Sequence, residues 1–309
     1  MQKSSVYLPD ALKRRLQAYA ATSSQSEAQL IRAAIEAFLA DDQDRPSGTG
    51  PPTESERVPG RLVGVGVGPG PASMVTVGAL RALRRADRVV APCTALDSVG
   101  RAEAILRIAA PDIVVERMKF VMQPDHQQRA AALRVVSESI TSYLDQGEEV
   151  AFITLGDPNM YSTVSSVFDG VSALRPSTKT ETVPGVMAFQ ALASKSNLML
   201  TDEQQTLVVL PASASGETIE AELANDERTV VFYKGGGRIS LVADQLEAAN
   251  RLDTAAMGEL IGMTGEQVAK VADVRDRPAS YLSCVLAPAT SGAGPKPDHT
   301  ESTSVNGAS

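Results

Sequence analysis

From residue 61 to about residue 287 the sequence alternates short apolar runs with helix-patterned segments, and this alternation constrains the fold more than any other feature. LVGVGVG (62–68), DRVVAP (87–92), IVVERM (113–118), EVAFITLGDP (149–158) and TETVPG (180–185) read as strands. So do TLVVLP (206–211), RTVVFYKGG (228–236) and SYLSCVLA (280–287). Between them lie helical patterns at 75–86, with Val77, Leu80 and Leu83 facing inward, at 127–146, ended by Gly147, at 186–197 and at 239–250. Runs that are apolar throughout belong to strands covered on both faces, so the expected class is α/β, with mostly parallel sheets under helices. The break ALRPS (173–177) is expected to divide this body into lobes of 61–175 and 176–287.

The flanks differ in composition. Residues 41–60 are rich in Pro, Gly, Ser, Asp and Glu and read as a flexible linker, and the low-apolar tail 288–309 reads as disordered. Residues 1–40 are patterned. KSSVYL (3–8) alternates like a strand. Pro9 and Asp10 open a helix through about Ala21, with Leu12, Leu16 and Tyr19 at helical spacing. Ser26 is placed to cap a second helix, which carries Leu30, Ile31, Ala34, Ile35, Phe38 and Leu39. Strand, helix and helix in forty residues bury too little surface alone, which points to pairing with a second copy.

Composition excludes several classes. The net charge of −8 argues against a body coated for nucleic acid, although residues 1–40 carry five basic and three acidic residues, a local +2. Cys93 and Cys284 are far apart and make no zinc spacing, so no metal is expected and both read as reduced, buried thiols. The N-terminus MQKSSVYLPD has no apolar signal segment, and no run approaches the ~20 residues of a spanning helix, so the expectation is a cytoplasmic protein off the membrane. There is no GxSxG or HExxH motif.

Four turns carry the chemistry. GVGVGPGP (64–71) follows the first strand but fails the dinucleotide fingerprint. The sixth position from Gly64 is Pro69 and from Gly66 is Pro71, where a glycine is required. TLGDPNMYST (154–163) leaves a long strand at the end where parallel sheets bind ligands. VPGVMAFQA (183–191) and VVFYKGGG (230–237) are two further strand exits. In this order and separation, over about Arg61 to Ala287, they resemble the tetrapyrrole (uroporphyrin/corrin) methyltransferase family, with its GxGPGD, GDP, PGxxS/A and K/M-x-G patterns. LGDPNMYSTVSSV, ERMKFVM (116–122), LVVLPA (207–212) and YLSCVLA look most like the branch that methylates precorrin-2 or cobalt-factor II at C20.

The resemblance implies a two-lobed fold, a homodimer, a tetrapyrrole substrate and S-adenosyl-L-methionine as cofactor in the cleft between lobes. Carried over by motif, the cofactor-binding positions are Pro69, Leu155, Gly156, Asp157, Met160, Ser162, Thr163, Met187, Ala188, Lys234 and Gly262. No catalytic side chain is assigned. Asp157 and Glu116 are conceivable proton acceptors, for which a structural role is the preferred reading, and Arg84, Arg85 and Arg101 are cations able to meet substrate carboxylates, for which a solvated surface position is the preferred reading. The sequence departs from the family at Pro71, where an acidic residue is usual, and at Phe120-Val121-Met122, where Phe-Pro-Met is usual. Residues 1–40 resemble the ribbon-helix-helix DNA-binding family, which would aim Lys3, Ser5 and Tyr7 at bases. Three readings remain open: a corrin C20-methyltransferase with an appended module, a DNA-binding regulator whose methyltransferase-like body senses S-adenosylmethionine or a tetrapyrrole, and a family relative with another substrate.

Overall fold

The computed structural model describes residues 10–23, 25–42, 60–120, 126–202, 204–234 and 236–291. The chain divides into two compact units, Met1–Arg57 and Val58–Ser309. In the first, α1 (Asp10–Thr22) and α2 (Glu27–Asp42) form a helical pair. Ser26 caps α2 as its hydroxyl predicts. Its Oγ accepts from the Gln29 N–H at 3.3 Å, while Gln29 Oε1 accepts from the Ser26 N–H at 2.8 Å. The expected strand, with Lys3, Ser5 and Tyr7, lies outside the described residues, as do most of the linker and tail.

In the second unit the first lobe runs β1 (Arg61–Gly66), α3 (Val77–Arg85), β2 (Arg88–Cys93), α4 (Arg101–Ala109), β3 (Val115–Lys119), α5 (His126–Asp145), β4 (Val150–Thr154), α6 (Val164–Leu174) and β5 (Lys179–Val183). All five strands are parallel, in the order β3-β2-β4-β1-β5. Alternate residues of each strand serve opposite faces. Val63, Val65, Val89, Ala91 and Ile153 pack under α3 and α4, whereas Leu62, Val90, Val150 and Phe152 pack under α5 and α6. Each fully buried Leu or Ile here contributes about 1.5–3 kcal/mol. Within α3 the burial falls on Ala79, Ala82 and Leu83. Val77, expected to face inward, is instead 64% exposed at the first turn, one residue after the Thr76 cap.

The second lobe runs α7 (Ala188–Lys195), β6 (Thr206–Pro211), α8 (Gly216–Leu223), β7 (Arg228–Tyr233), α9 (Ile239–Ala248), β8 (Ala256–Glu259), β9 (Gln267–Lys270), α10 (Val271–Val274) and β10 (Ser283–Ala287). Its sheet has the order β6-β7-β10-β8-β9. Only β6 and β7 are parallel. The expectation of mostly parallel sheets therefore fails in this lobe. A parallel pair needs a crossover of a dozen or more residues, and the 260–266 connection between β8 and β9 is long enough only for a hairpin. Helices α8 and α9 cover one face, and α7 covers the other through Phe189 and Leu192. Buried Arg251 secures the last strand, donating from Nη2 to the carbonyls of Ala287 at 2.9 Å and Pro288 at 2.7 Å.

The lobe boundary also differs from the expected 175/176. β5 pairs with β1, so the first lobe continues through Val183, and the chain changes lobe in the Pro184–Met187 turn before α7. The free edge of β1 is completed by a parallel strand delivered by the α6 crossover, and Pro176 simply follows that helix's end. The connection leaving β1 crosses α3's face to β2, while the connection leaving β4 crosses α6's face to β5. Neighbouring strands that send their chains opposite ways open a crevice at their C-terminal ends.

Candidate functional site

At that crevice the first two glycine turns are hydrogen-bonded to each other. The Gly156 N–H donates to the Gly68 carbonyl at 2.8 Å, the Gly68 N–H returns to Gly156 at 3.3 Å, and the Val67 N–H donates to Thr154 at 3.0 Å. The approach is close enough to require missing side chains. A Cβ on Gly66 would stand 2.5 Å from the Gly156 carbonyl oxygen, and one on Gly185 would stand 2.1 Å from the same atom. Asp157 braces the arrangement: its carboxylate accepts from the Gly185 N–H at 3.0 Å and the Asn159 N–H at 2.8 Å. Three of the four sequence turns thus meet around one carbonyl.

The fourth turn arrives from the other lobe. Lys234, at φ +60°, donates from Nζ to the Tyr161 carbonyl at 2.7 Å, and the Tyr161 and Tyr233 rings lie 5.7 Å apart. Burial pushes the Tyr233 phenol up to about 12, so it stays protonated at neutral pH. A second interlobe seam forms where Gly70 and Pro71 stack on Ile261 and Gly262. A Cβ on Gly262 would fall 2.0 Å from the Pro71 ring. Pro71, the residue that replaces the usual acid, packs this seam.

Together these elements enclose a cleft of about 600 Å³. Of the positions expected at the site, Pro69, Leu155, Gly156, Met160, Ser162, Thr163, Ala188 and Lys234 line it. Asp157, Met187 and Gly262 do not. Asp157 is occupied with backbone amides, Met187 N-caps α7 and packs into the second-lobe core, and Gly262 faces Pro71 and donates to Glu266 at 2.6 Å. Glu116 accepts from the Tyr143 hydroxyl at 2.7 Å and does not line the cleft. Arg84 and Arg85 are paired with Asp112 and Glu149, also away from it, whereas Arg101 is on the wall.

Residues that sequence reasoning did not single out complete the walls: Thr94, Ser98 and Val99 before α4, and Tyr161, Tyr233 and Tyr281. The first two tyrosines directly adjoin recognised turns, a signal that was available. Both cysteines also lie here, and burial pushes Cys93 up and Cys284 up to about 12, leaving unreactive thiols. No Asp, Glu or His is among the described lining residues.

The first-lobe wall is fixed by a buried carboxylate. Glu103, 1% exposed on α4, accepts from Arg117 Nε at 2.7 Å and Nη2 at 2.9 Å and from Arg107 at 2.7 Å, while Arg117 Nη1 donates to the Leu96 carbonyl at 2.9 Å. This ties the 94–100 loop to β3. The Arg117 hydrogen bonds hold the Glu103 carboxyl below its ordinary range.

A parallel five-stranded lobe, a mixed second lobe and a cleft at the strand ends define a two-lobed α/β protein built to hold a ligand between its lobes. The family model described as "Tetrapyrrole (Corrin/Porphyrin) Methylases" matches residues 61–274, and the chain belongs to that family. The chain is 30% identical over 232 residues to the cobalt-precorrin-2 C(20)-methyltransferase of Salmonella typhimurium, covering 74% of this chain and 95% of that one. It is 28% identical over 238 residues to the precorrin-2 C(20)-methyltransferase of a Sinorhizobium species, with the same shares covered. The fold matches the X-ray structure of a cobalt precorrin-4 methyltransferase with a TM-score of 0.56 at 19% identity, covering 78% of this chain and 98% of that one.

Methylases of this family take their methyl group from S-adenosyl-L-methionine. The site fits such a molecule on its own geometry. Gly156, at φ +73°, leaves a cradle in which a Cβ would meet only the Tyr233 hydroxyl, at 3.7 Å, so a ligand can lie against the backbone.

Replacing Glu103 with Gln leaves the Arg117 guanidinium without its counter-charge. The expected cost is about 2–3 kcal/mol at neutral pH, measured by urea unfolding. Because the folded carboxyl is held low, its contribution is full above the ordinary value of 4.5 and is lost as pH falls through the folded value. The difference between wild type and Glu103→Gln therefore shrinks on acidification. A constant difference from pH 7 to pH 3 contradicts this account.

Proposed function

We propose that the body of this chain methylates C20 of precorrin-2 or its cobalt-loaded counterpart, with S-adenosylmethionine held by Pro69, Leu155, Gly156, Met160, Ser162, Thr163, Ala188 and Lys234. The observation that carries the reading is the convergence of the strand-end turns on one cleft, with no acidic or imidazole side chain among its described lining residues. The two C20-methyltransferase relatives, matched over 95% of their length, support the choice of substrate.

S-adenosylmethionine, when bound, supplies a methyl group already activated on a sulfonium. The chain's residues then have three tasks: to align that methyl with a nucleophilic ring carbon, to keep water out, and to leave the new bond undisturbed. The rigid Gly68–Gly156 pairing serves alignment. The aromatic wall of Tyr161 and Tyr233, backed by Phe189, serves water exclusion. As Tyr233 is neutral and both thiols are held protonated, neither that phenol nor the thiols compete for the methyl group.

Purified full-length protein with precorrin-2 and methyl-labelled S-adenosylmethionine is expected to give one labelled methyl per macrocycle, at C20 by NMR. Filling the cleft with Ala188→Trp is expected to reduce turnover at least a hundredfold while the fold is kept by circular dichroism. Cofactor binding by calorimetry without turnover on either the metal-free or the cobalt-loaded substrate overturns the enzyme reading in favour of a sensor.

The N-terminal unit supports a second component. α1 and α2 leave Tyr19 62% and Ile35 47% exposed. An exposed apolar helical pair is the state expected of a module completed by a second copy. We infer that residues 1–40 form a ribbon-helix-helix homodimer that contacts DNA through Lys3, Ser5 and Tyr7. A salt-dependent gel shift by the full chain, absent for residues 41–309, is the expected result; no shift by the full chain at low salt contradicts it.

A further inference from the structure

We propose that Arg101 is the anchor for a carboxylate of the ligand in the cleft, and so a specificity-determining residue for a polycarboxylate macrocycle. This rests on the reading of the cleft as a tetrapyrrole methylation site.

Arg101 is the first residue of α4, exposed on the cleft wall, and among the described residues no hydrogen bond or ion pair involves it. The other arginines of α3 to β3 whose contacts are resolved are engaged. Arg84 meets Asp112, Arg85 meets Glu149, Arg88 meets Glu148, and Arg107 and Arg117 share Glu103. The second cation of the lining is Lys234, one of whose ammonium N–H groups donates to the Tyr161 carbonyl at 2.7 Å. With no carboxylate among the described lining residues, the described side chains of the cleft sum to a formal +2, and Arg101 is the cation that makes no other contact among them.

The position of Arg101 is also prepared. Gly100, immediately before it, packs so closely that a Cβ would stand 2.5 Å from the Pro92 carbonyl oxygen. The loop that leads to it is tied down at Leu96 by Arg117, itself held by buried Glu103. The guanidinium thus leaves a fixed backbone, with the Thr94 and Ser98 hydroxyls on the same wall. A planar guanidinium offers two parallel N–H groups to a carboxylate, the geometry that an acetate or propionate side chain of a tetrapyrrole presents. S-adenosylmethionine has one carboxylate and a net positive charge, so an unpaired cation gains more from the substrate's many carboxylates.

The test uses full-length wild type, Arg101→Gln and Arg101→Lys. Three readouts are taken: S-adenosylhomocysteine affinity by calorimetry, quenching of uroporphyrin III fluorescence on binding, and steady-state methylation of precorrin-2 at two ionic strengths. The expected result for Arg101→Gln is unchanged S-adenosylhomocysteine affinity, tenfold or more weaker uroporphyrin binding and a KM for precorrin-2 raised by a similar factor, with kcat within threefold. Arg101→Lys is expected to recover only part of the loss, since it restores the charge but not the two-pronged hydrogen bond, and the wild-type advantage to shrink in high salt. If wild type binds uroporphyrin and methylates precorrin-2 while Arg101→Gln does both equally well, the anchor is overturned and the methyltransferase reading stands. If Arg101→Gln weakens S-adenosylhomocysteine as much as uroporphyrin, the residue acts on the fold or the cofactor and the anchor is again overturned. If wild type neither binds uroporphyrin nor methylates precorrin-2, the tetrapyrrole reading falls, and the anchor with it.

Discussion

The reciprocal hydrogen bonds between Gly68 and Gly156 are the contact on which the cleft depends. They join the turns that leave two neighbouring strands, β1 and β4, whose chains then depart over opposite faces of the sheet. The carbonyl of Gly156 sits between Gly66 and Gly185, with no room for a side chain on either. The Pro184-Gly185 turn that carries the chain into the second lobe is therefore anchored to the same point. Placement of α7, and of Ala188 on the cleft wall, follows from it.

The lobes meet through a few local devices. Lys234 reaches the Tyr161 carbonyl, the Tyr161 hydroxyl reaches the Val209 carbonyl at 3.4 Å, and Pro71 stacks on Gly262. Replacement of the customary acid by Pro71 thus has a structural reason within this chain. The ring fills an interlobe seam that an aspartate would leave charged and partly dehydrated. The catalytic economy is of the same kind. Among its described residues the wall holds no carboxylate or imidazole, its tyrosine Tyr233 and its thiols are kept neutral by burial, and its cations are Arg101 and Lys234.

The strand exits were legible in the sequence because glycine, proline and aspartate punctuate the chain locally, and their order carried the family resemblance. What depends on non-local pairing was not legible. β8 (AMGE) and β9 (QVAK) are four residues each, too short for a hydrophobic run to register, and their antiparallel pairing turns the second sheet mixed. The lobe boundary was drawn at Pro176, a local break, although β5 still belonged to the first sheet through β1. Asp157 looked like a ligand contact by its motif, yet its oxygens are taken by the Gly185 and Asn159 amides. Arg84, Arg85 and Arg101 are alike in sequence, and only the fold shows that the first two have acidic partners.

The central claim is that the paired glycine turns form one edge of the cofactor site. The most direct test is a crystal structure of the full-length protein with S-adenosylhomocysteine. The account predicts the ligand between the lobes, against the backbone of Leu155, Gly156 and Ala188, with the Gly68–Gly156 hydrogen bonds intact and the sulfur facing the wall that carries Arg101. Ligand bound anywhere else on the chain, or bound in the cleft only after the two turns separate, contradicts it.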